Sequence, residues 1–115
     1  MAIYLELPYP PSVNHYWGQS GNRRFIGKKG VAFRAEVVEA ARLANASPIE
    51  DRIAVHIELF PPDRRKRDLD NVLKSLLDAC EHAGCYVNDS QIDEIHIVRK
   101  AIIKDGACNI AIIAL

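Results

Sequence analysis

Two aspartates, Asp68 and Asp70, are the residues of this sequence whose type and spacing most directly indicate chemistry. They occur in the stretch PPDRRKRDLDN, immediately after the basic residues Arg64, Arg65, Lys66 and Arg67. Two carboxylates held close together repel one another unless a divalent cation lies between them. Mg²⁺ binds hard oxygen ligands, commonly carboxylates completed by water and substrate phosphate oxygens. The pattern therefore predicts a Mg²⁺ site formed by the two aspartates.

The basic residues beside this predicted site indicate the class of substrate. Residues 64–67 would attract the phosphates of a nucleic acid, and the metal held by the acids would hydrolyse one of them. A third ligand must come from elsewhere in the chain, and Asp89, in the turn sequence VNDSQID, is the candidate. Lys74 stands four residues after Asp70, so on a helix the two side chains can reach each other or a common third group.

The same residues also have an ordinary structural interpretation. Asp68 can cap a helix, Asp70 is a first-turn acid that the helix dipole favours, and Asp70 can form an exposed ion pair with Lys74. Asp89 is likewise a common turn residue. This interpretation leaves the basic run before the acids unexplained, whereas a metal-dependent nucleic-acid enzyme accounts for both signs of charge.

A strand before the acids and a helix after them must position this site. Residues 53–60, IAVHIELF, alternate between two faces and predict a strand that Pro61 ends. Apolar residues recur between positions 69 and 83 with a period near 3.6, which predicts a helix that Gly84 ends. The basic run should therefore lie in the loop between these elements, beside the carboxylates.

The remaining periodicities complete the order β-α-β-α-β-β. They predict a strand at residues 3–7, a helix at 29–46, and strands at 92–103 and 107–115. Between the last two strands, Asp105-Gly106 predicts a β-hairpin with a type I′ turn, which needs positive φ at both central residues. We therefore predict a single α+β domain over residues 1–115, in which a mixed four-stranded sheet has two helices packed on one face.

Residues 12–30 show neither helical nor strand periodicity, so we predict a long irregular segment there. Loops of this length are usually functional or disordered. This one combines an amide, two aromatic rings and four basic side chains, namely Asn14, Tyr16, Trp17, Arg23, Arg24, Lys28 and Lys29. That mixture suits contacts with phosphates and stacking on unpaired bases. The alternative is that Tyr16 and Trp17 pack over the edge of the sheet.

The amino-acid composition is that of a globular protein and limits the classes of function to consider. The 115 residues are 49% hydrophobic and 26% charged, which is typical of a globular protein. Fifteen basic and fifteen acidic side chains cancel, which argues against a protein that coats nucleic acid non-specifically.

Cys80, Cys85 and Cys108 match no zinc spacing and are predicted to be reduced and mostly buried. Because no signal-peptide pattern or long apolar run is visible, we expect a cytoplasmic protein without a membrane partner.

The motifs resemble the RusA family of Holliday-junction resolvases, small endodeoxyribonucleases of bacteria and their phages. The resemblance rests on PPDRRKRDLDNVLKSLLDACEHAGCYVNDSQI with LPYPPSVNHYW, and its specific part is D-L-D-N-x-x-K followed by the N-D turn. By this resemblance, Asp68, Asp70 and Asp89 correspond to the family's metal-binding catalytic acids. Lys74 corresponds to its catalytic lysine, and Arg67 to a basic position associated with substrate binding or catalysis.

The resemblance implies a homodimer that binds four-way and other branched DNA and, with Mg²⁺ or Mn²⁺, introduces paired nicks in opposite strands. Such an enzyme would serve recombination and repair in a bacterium, encoded by the host or by a phage or prophage. Family members often have two successive acids at the turn, whereas this chain has Asn88-Asp89. Two alternatives remain open: a non-catalytic dimer that binds branched DNA, and a general metal-dependent nuclease without junction preference.

Overall fold

The computed structural model describes residues 1–115 and is built on a four-stranded mixed sheet. From the N-terminus its elements are β1 (Ala2–Leu7), α1 (Val13–Tyr16), β2 (Trp17–Ser20), β3 (Arg23–Ile26), α2 (Lys28–Leu43), β4 (Ile53–Phe60), a 3-10 helix (Leu69–Val72), α3 (Leu73–His82), a second 3-10 helix (Asp89–Gln91), β5 (Ile92–Arg99) and β6 (Ala107–Ala114). The order across the sheet is β1-β6-β4-β5. β6 is antiparallel to β1 and β4, whereas β5 is parallel to β4.

The hydrophobic core lies between one face of the sheet and the helices α2 and α3. Alternation along the strands directs Leu5, Ile57 and Ile110 toward the helices, where each is at most 3% exposed. Val37 of α2 and Leu76 of α3 meet them, and both are fully buried. Together 22 buried apolar residues form one contiguous cluster. The predicted α+β architecture, with two helices on one face of a mixed sheet, is therefore confirmed.

The parallel pairing of β4 with β5 fixes where the loops of the site lie. Two parallel strands need a long crossover, and residues 61–91 supply it through α3. The carboxyl ends of parallel strands meet at the same edge of the sheet, so the chain after β4 runs beside the chain after β5. The Lys100 amide donates to the Leu59 carbonyl at 2.8 Å, and the Ile103 amide donates to the Pro61 carbonyl at 3.0 Å.

The predicted β-hairpin around Asp105-Gly106 is wrong, although its turn chemistry is as expected. Asp105 and Gly106 both have positive φ, 67° and 70°, and the Gly106 amide donates to the Ile103 carbonyl at 3.0 Å. This turn belongs to a crossover, because β6 lies between β1 and β4 and does not pair with β5. In that position both edges of β6 are hydrogen-bonded and Ile112 is fully buried.

The predicted irregular segment at residues 12–30 is also wrong, since it contains α1 and the antiparallel hairpin of β2 and β3. We call this hairpin, Trp17–Ile26, the basic arm. Its two-residue turn is Gly21-Asn22, and Gly21 has φ of 60°, which glycine adopts without steric cost. Gly-Asn between two short strands is a hairpin signal, so the sequence carried the information.

A polar network at the base of the basic arm joins α1, α2 and α3. The Tyr16 hydroxyl donates to the Asp78 carboxylate, and Arg34 donates to the Tyr16 oxygen at 2.8 Å and to Asp78 at 2.7 Å. Burial and the hydrogen bond to Asp78 raise the pKa of Tyr16 to about 12. The helices approach closely here, because a Cβ on Gly30 would lie 2.4 Å from the Tyr16 carbonyl oxygen. Tyr16 is therefore a buried anchor of the arm.

The three cysteines, Cys80, Cys85 and Cys108, are free and buried, as predicted. None of the helices combines the length and apolar character that crossing a membrane would require.

Replacement of Asp78 by asparagine tests the anchor network. Burial alone raises the pKa of Asp78, but the hydrogen bonds from Arg34 and Tyr16 outweigh it and hold the pKa below its ordinary value of 3.8. The ionised carboxylate thus stabilises the fold above that value, and its contribution is lost as the pH falls through the lowered pKa. We expect Asp78→Asn to lower the free energy of unfolding by roughly 1–3 kcal/mol at about pH 7. The loss should shrink at about pH 3.

Urea unfolding of both proteins at the two pH values measures this difference, with Asp51→Asn as the control because the exposed Asp51 carboxylate has no partner. An equal loss at both pH values would mean that the ionised carboxylate of Asp78 is not what stabilises the junction of α1, α2 and α3.

Candidate active site

The two predicted metal ligands lie together at the start of the 3-10 helix that leads into α3. Asp68 is the N-cap residue, with extended backbone, yet its carboxylate makes no capping hydrogen bond. Asp68 and Asp70 are both exposed, and neither carboxylate has a hydrogen bond or ion-pair partner within the protein. A capping aspartate uses its carboxylate to accept a backbone N–H. The capping interpretation of Asp68 therefore does not hold, and both carboxylates are free to bind a cation.

The four basic residues before the acids lie in a connecting loop, as predicted, and we call residues 63–67 the basic loop. Asp63 organises it by accepting hydrogen bonds from Arg67 at 2.7 and 3.2 Å and from the Arg65 amide at 2.9 Å. The Arg67 side chain, followed by the Arg65 amide, lowers the pKa of Asp63 to about 2. Asp63 is a structural acid that the sequence pattern alone does not distinguish from the two free ones.

Arg67 is mainly engaged inside the basic loop. Besides its bonds to Asp63 it donates to the Arg65 carbonyl at 3.4 Å, and its guanidinium carbon lies 5.7 Å from the centre of the Tyr9 ring. Only 22% of its side chain is exposed, against 83% for Arg65. The phosphate-binding capacity of the loop therefore rests chiefly on Arg65 with its exposed neighbours Arg64 and Lys66.

Two further basic residues join this surface, and sequence reasoning missed them. Arg99 is the last residue of β5 and Lys100 follows it, and both line one depression together with residues 63–68. The Arg99 guanidinium donates to the Arg67 carbonyl, which ties the end of β5 to the basic loop. These two residues could not be assigned from the sequence because their position depends on the parallel pairing of β4 with β5. That pairing brings the chain segments after both strands to the same edge of the sheet.

Lys74 contacts Asp89 rather than Asp70. Its ammonium nitrogen lies 3.8 Å from an Asp89 carboxylate oxygen, and both side chains are partly exposed, at 54% and 41%. The predicted helical spacing between Asp70 and Lys74 is broken because Asp70 belongs to a 3-10 helix and α3 begins only at Leu73. α3 and the distant turn thus approach each other, with Lys74 and Asp89 as the contact.

The turn that carries Asp89 is held by its own capping interactions. The Asn88 side chain accepts the Ser90 amide at 2.8 Å, and the Gln91 side chain accepts the Asn88 amide at 2.8 Å, which together form a capping box. Gln91 also donates to the carbonyls of Ile49 and Asp51, both at 2.8 Å. Asparagine at the position before Asp89 therefore has a structural role, and the Asp89 carboxylate needs no part in capping.

The donor chemistry at this surface suits a hard divalent cation, but the carboxylates do not form a complete metal cluster. Asp68 and Asp70 offer uncommitted carboxylate oxygens, the ligand type that Mg²⁺ and Mn²⁺ prefer. No group of three or more His, Cys, Asp or Glu side chains lies close enough to hold a metal ion. Asp68 lies beside the end of β5, whereas Asp89 precedes its start. Mg²⁺ binding by all three aspartates therefore stays a prediction.

The remaining predicted DNA-binding residues lie on and around the basic arm. Arg23 and Arg24 are exposed on β3, Asn14 is exposed on α1, and Lys28 and Lys29 are exposed in the first turn of α2, which contains no acid. Tyr16 is fully buried, so the packing interpretation holds for it and it cannot stack on a base. Trp17 is partly buried with Arg24 lying 3.8 Å from its ring centre.

Comparison with known proteins places these features in a family. A family model described as "Endodeoxyribonuclease RusA" matches residues 8–113. The chain is 38% identical over 110 residues to the crossover junction endodeoxyribonuclease rusA of Enterobacteria phage HK97, covering 95% of this chain and 92% of the relative. It is 34% identical to the protein of the same name from Enterobacteria phage 82, covering 96% and 93%. It is also 34% identical to that of Escherichia coli K12, covering 94% and 91%.

Stability measurements on the two free acids separate a metal-binding role from a structural one. Because neither carboxylate has a partner, we expect Asp68→Ala and Asp70→Ala to change the free energy of unfolding by less than about 0.5 kcal/mol without metal. A true N-cap at Asp68 would lose about 1 kcal/mol. Chemical denaturation in EDTA measures both. Asp63→Ala is the matched contrast, since it loses the bonds to Arg67 and Arg65 and should unfold at lower denaturant.

Proposed function

The chain belongs to the RusA family of endodeoxyribonucleases, and on that basis we propose that it resolves four-way DNA junctions. It acts as a homodimer, uses Mg²⁺ or, in its place, Mn²⁺, and cuts two opposite strands of the junction. We expect this reaction to take place in the cytoplasm of a bacterium, during recombination and repair. The relatives are named crossover junction endodeoxyribonucleases, which favours this activity over the other interpretations of the sequence.

One structural observation supports the proposal most strongly. The two uncommitted carboxylates, Asp68 and Asp70, adjoin an exposed basic surface that they do not neutralise. Exposed acids and bases at such short range would normally pair with one another, as Asp63 and Arg67 do. Leaving these opposite charges unpaired forgoes the favourable energy of local ion pairs. It is useful where the basic side chains bind phosphates and the carboxylates bind a cation.

The proposed chemistry divides the work among the residues of this surface. Mg²⁺ held by Asp68 and Asp70, with Asp89 as third carboxylate, would activate a water and polarise the scissile phosphate. The Lys74 ammonium, partly exposed beside Asp89, stabilises the negative charge that develops on the phosphate oxygens. The Asp89 carboxylate limits the motion of the Lys74 ammonium. The capping box around Asn88 holds that aspartate in place.

The basic loop and the basic arm bind the DNA on either side of the proposed metal site. Arg64, Arg65 and Lys66 bind the backbone of the strand to be cut, while Arg67 supports the loop from inside. The arm contributes Arg23 and Arg24, and its base is anchored to α3 one turn after Lys74, through Asp78. The arm is therefore fixed relative to the catalytic helix, so that phosphates bound by both surfaces are set at a defined spacing.

Cleavage assays with Asp70→Asn test the catalytic assignment. The asparagine is nearly isosteric but removes a charge from the proposed metal site, so we expect cleavage of a labelled four-way junction in Mg²⁺ to fall by about two orders of magnitude or more. Junction binding in Ca²⁺ or EDTA should persist, because the basic surfaces are unchanged. Asp51→Asn is the matched control and should cleave normally.

The substrate panel for this assay is a four-way junction, a linear duplex of the same sequence and single-stranded RNA, each with and without EDTA. Equal cleavage of all three would indicate a general nuclease, and junction binding without any metal-dependent cleavage would indicate a binding protein. Either result contradicts the proposed activity.

The salt dependence of junction affinity tests the phosphate contacts of the basic loop. Each phosphate contact removed should lower the slope of log K against log salt by about 0.9. We expect Arg64→Gln with Lys66→Gln to lower it by about 2, measured by fluorescence anisotropy. Arg42→Gln is the control, since Arg42 already pairs with Glu39 on α2 at 2.6 Å. An unchanged slope in the double variant would show that the basic loop does not contact the DNA phosphates.

A further inference from the structure

The ring of Phe25 lies over a residue of the basic arm that has no side chain. Phe25 pairs with Gly18 across the hairpin, and a Cβ built on Gly18 would lie 2.4 and 2.5 Å from two atoms of the Phe25 ring. The ring therefore rests directly on the backbone of the neighbouring strand. The rest of it faces solvent, because Phe25 is 46% exposed and lies outside the hydrophobic core.

The two faces of the basic arm have different surroundings. Cross-strand partners share a face and successive residues alternate, so Trp17 and Ile26 lie on one face and Gly18 and Phe25 on the other. Trp17 and Ile26 pack against the hydrophobic core, so their face is turned toward the protein. Phe25 is therefore on the outward face, and Arg23, two residues before it, shares that face.

The other aromatic rings of the arm and its base are already engaged. Tyr16 is fully buried, and the Arg24 guanidinium lies over the partly buried Trp17 ring, 3.8 Å from its centre. The Phe25 ring has neither an aromatic ring nor a cation stacked on it. Phe25 thus presents the free aromatic surface of the arm.

The charges around Phe25 favour a nucleic-acid base as the group that stacks on it. Residues 12–35 contain five arginines and lysines and no acidic residue. Phosphates bound by these cations would bring the attached bases to the ring, the combination by which proteins bind unpaired strands. In a continuous duplex the base faces are stacked on one another. A free base face occurs where the helix is interrupted, as at a branch point.

The backbone that carries Phe25 is fixed at the base of the arm. The Gly27 amide donates to the Tyr16 carbonyl at 2.9 Å, which closes the hairpin two residues after Phe25. The Tyr16 side chain is in turn hydrogen-bonded to Asp78 of α3. The ring therefore has a defined position relative to the helix that carries the proposed catalytic lysine.

We propose that Phe25 stacks on an unpaired base at the branch point of the junction, while Arg23 binds a neighbouring phosphate. The inference rests on the proposed function, since it takes branched DNA as the ligand. It makes Phe25 a residue that determines specificity, because a linear duplex offers the ring no free base face. The basic side chains of the arm, by contrast, bind the phosphates of either DNA.

Binding measurements with a four-way junction and a linear duplex in EDTA test the role of the ring. Phe25→Leu should weaken junction binding about tenfold, because the stacking of a base is lost, and should change duplex binding less than about twofold. Phe25→Tyr keeps the ring and should bind like the wild type. Val38→Ala, which truncates an apolar side chain of similar 42% exposure on α2, is the control and should change neither affinity. Equal losses on both DNAs with Phe25→Leu, or no loss, would overturn the inference.

Gly18→Ala gives a second test that keeps Phe25 and every charge. Gly18 does not have positive φ, so alanine fits the backbone, but its Cβ would displace the Phe25 ring from the arm. The variant should lose the preference for junctions as Phe25→Leu does. Arg23→Gln should instead weaken binding to both DNAs by a similar factor, since it removes a phosphate contact. A wild-type preference for junctions in Gly18→Ala would contradict the proposed position of the ring.

Photo-cross-linking of the wild-type protein locates the contact directly. A photoreactive iodouracil base, which cross-links to an aromatic side chain stacked on it, is placed either at the branch point or well inside a duplex limb of the junction. We expect a cross-link to Phe25 from the branch-point position alone, identified by mass spectrometry of the digested complex. A branch-point cross-link that maps only to other residues, or equal cross-linking of Phe25 from both positions, would overturn the inference.

Cleavage of the junction in Mg²⁺ is measured separately. A protein that cross-links through Phe25 but cuts no junction would refute the proposed function and leave the stacking contact standing. A protein that cuts junctions, but whose junction binding is the same in Phe25→Leu, would support the proposed function and refute the stacking contact.

Discussion

The parallel pairing of β4 with β5 is the constraint on which the candidate site depends. It requires a crossover, which the chain makes with the basic loop, the two free aspartates and α3. It also brings Arg99 and Lys100 to the carboxyl end of β4, where they extend the basic surface. An antiparallel β5 could follow β4 through a short turn, and neither the crossover nor this concentration of charge would then be needed.

The acidic residues around the candidate site are of two kinds: some form ion pairs that stabilise the fold, and others have no partner in the protein. Asp63 and Asp78 are held by arginines, and each fixes a piece of backbone: the basic loop in one case and the base of the arm in the other. Asp68 and Asp70 are left without partners beside exposed bases. Although the net charge of the chain is zero, this surface carries acidic and basic side chains that do not pair with one another. Such a surface is stable only because exposed charges remain hydrated, and it is available to a metal and a polyanion together.

The sequence predicted those features that depend on local chemistry. The core helices, the strand before the acids and the loop position of the basic run follow from periodicity and proline positions, and the structure agrees. Even the positive φ of Asp105 and Gly106 was predictable. The pairing of strands was not predictable, because Asp-Gly specifies a turn but does not say which strands it joins, and β6 pairs with β1 and β4 instead of β5. The role of Arg99 depends on that pairing, so the sequence could not reveal it. The role of Asp63 is local to the basic loop, but its residue type does not distinguish it from the free acids nearby.

The central claim is that Asp68 and Asp70 bind a divalent cation beside the DNA-binding surface. Electron paramagnetic resonance of Mn²⁺, titrated into protein bound to a non-cleavable four-way junction, tests it without relying on catalysis. We expect the wild-type protein to bind Mn²⁺ and the double variant Asp68→Asn, Asp70→Asn to lose that binding while it still holds the junction. Equal Mn²⁺ binding by the two proteins would contradict the account.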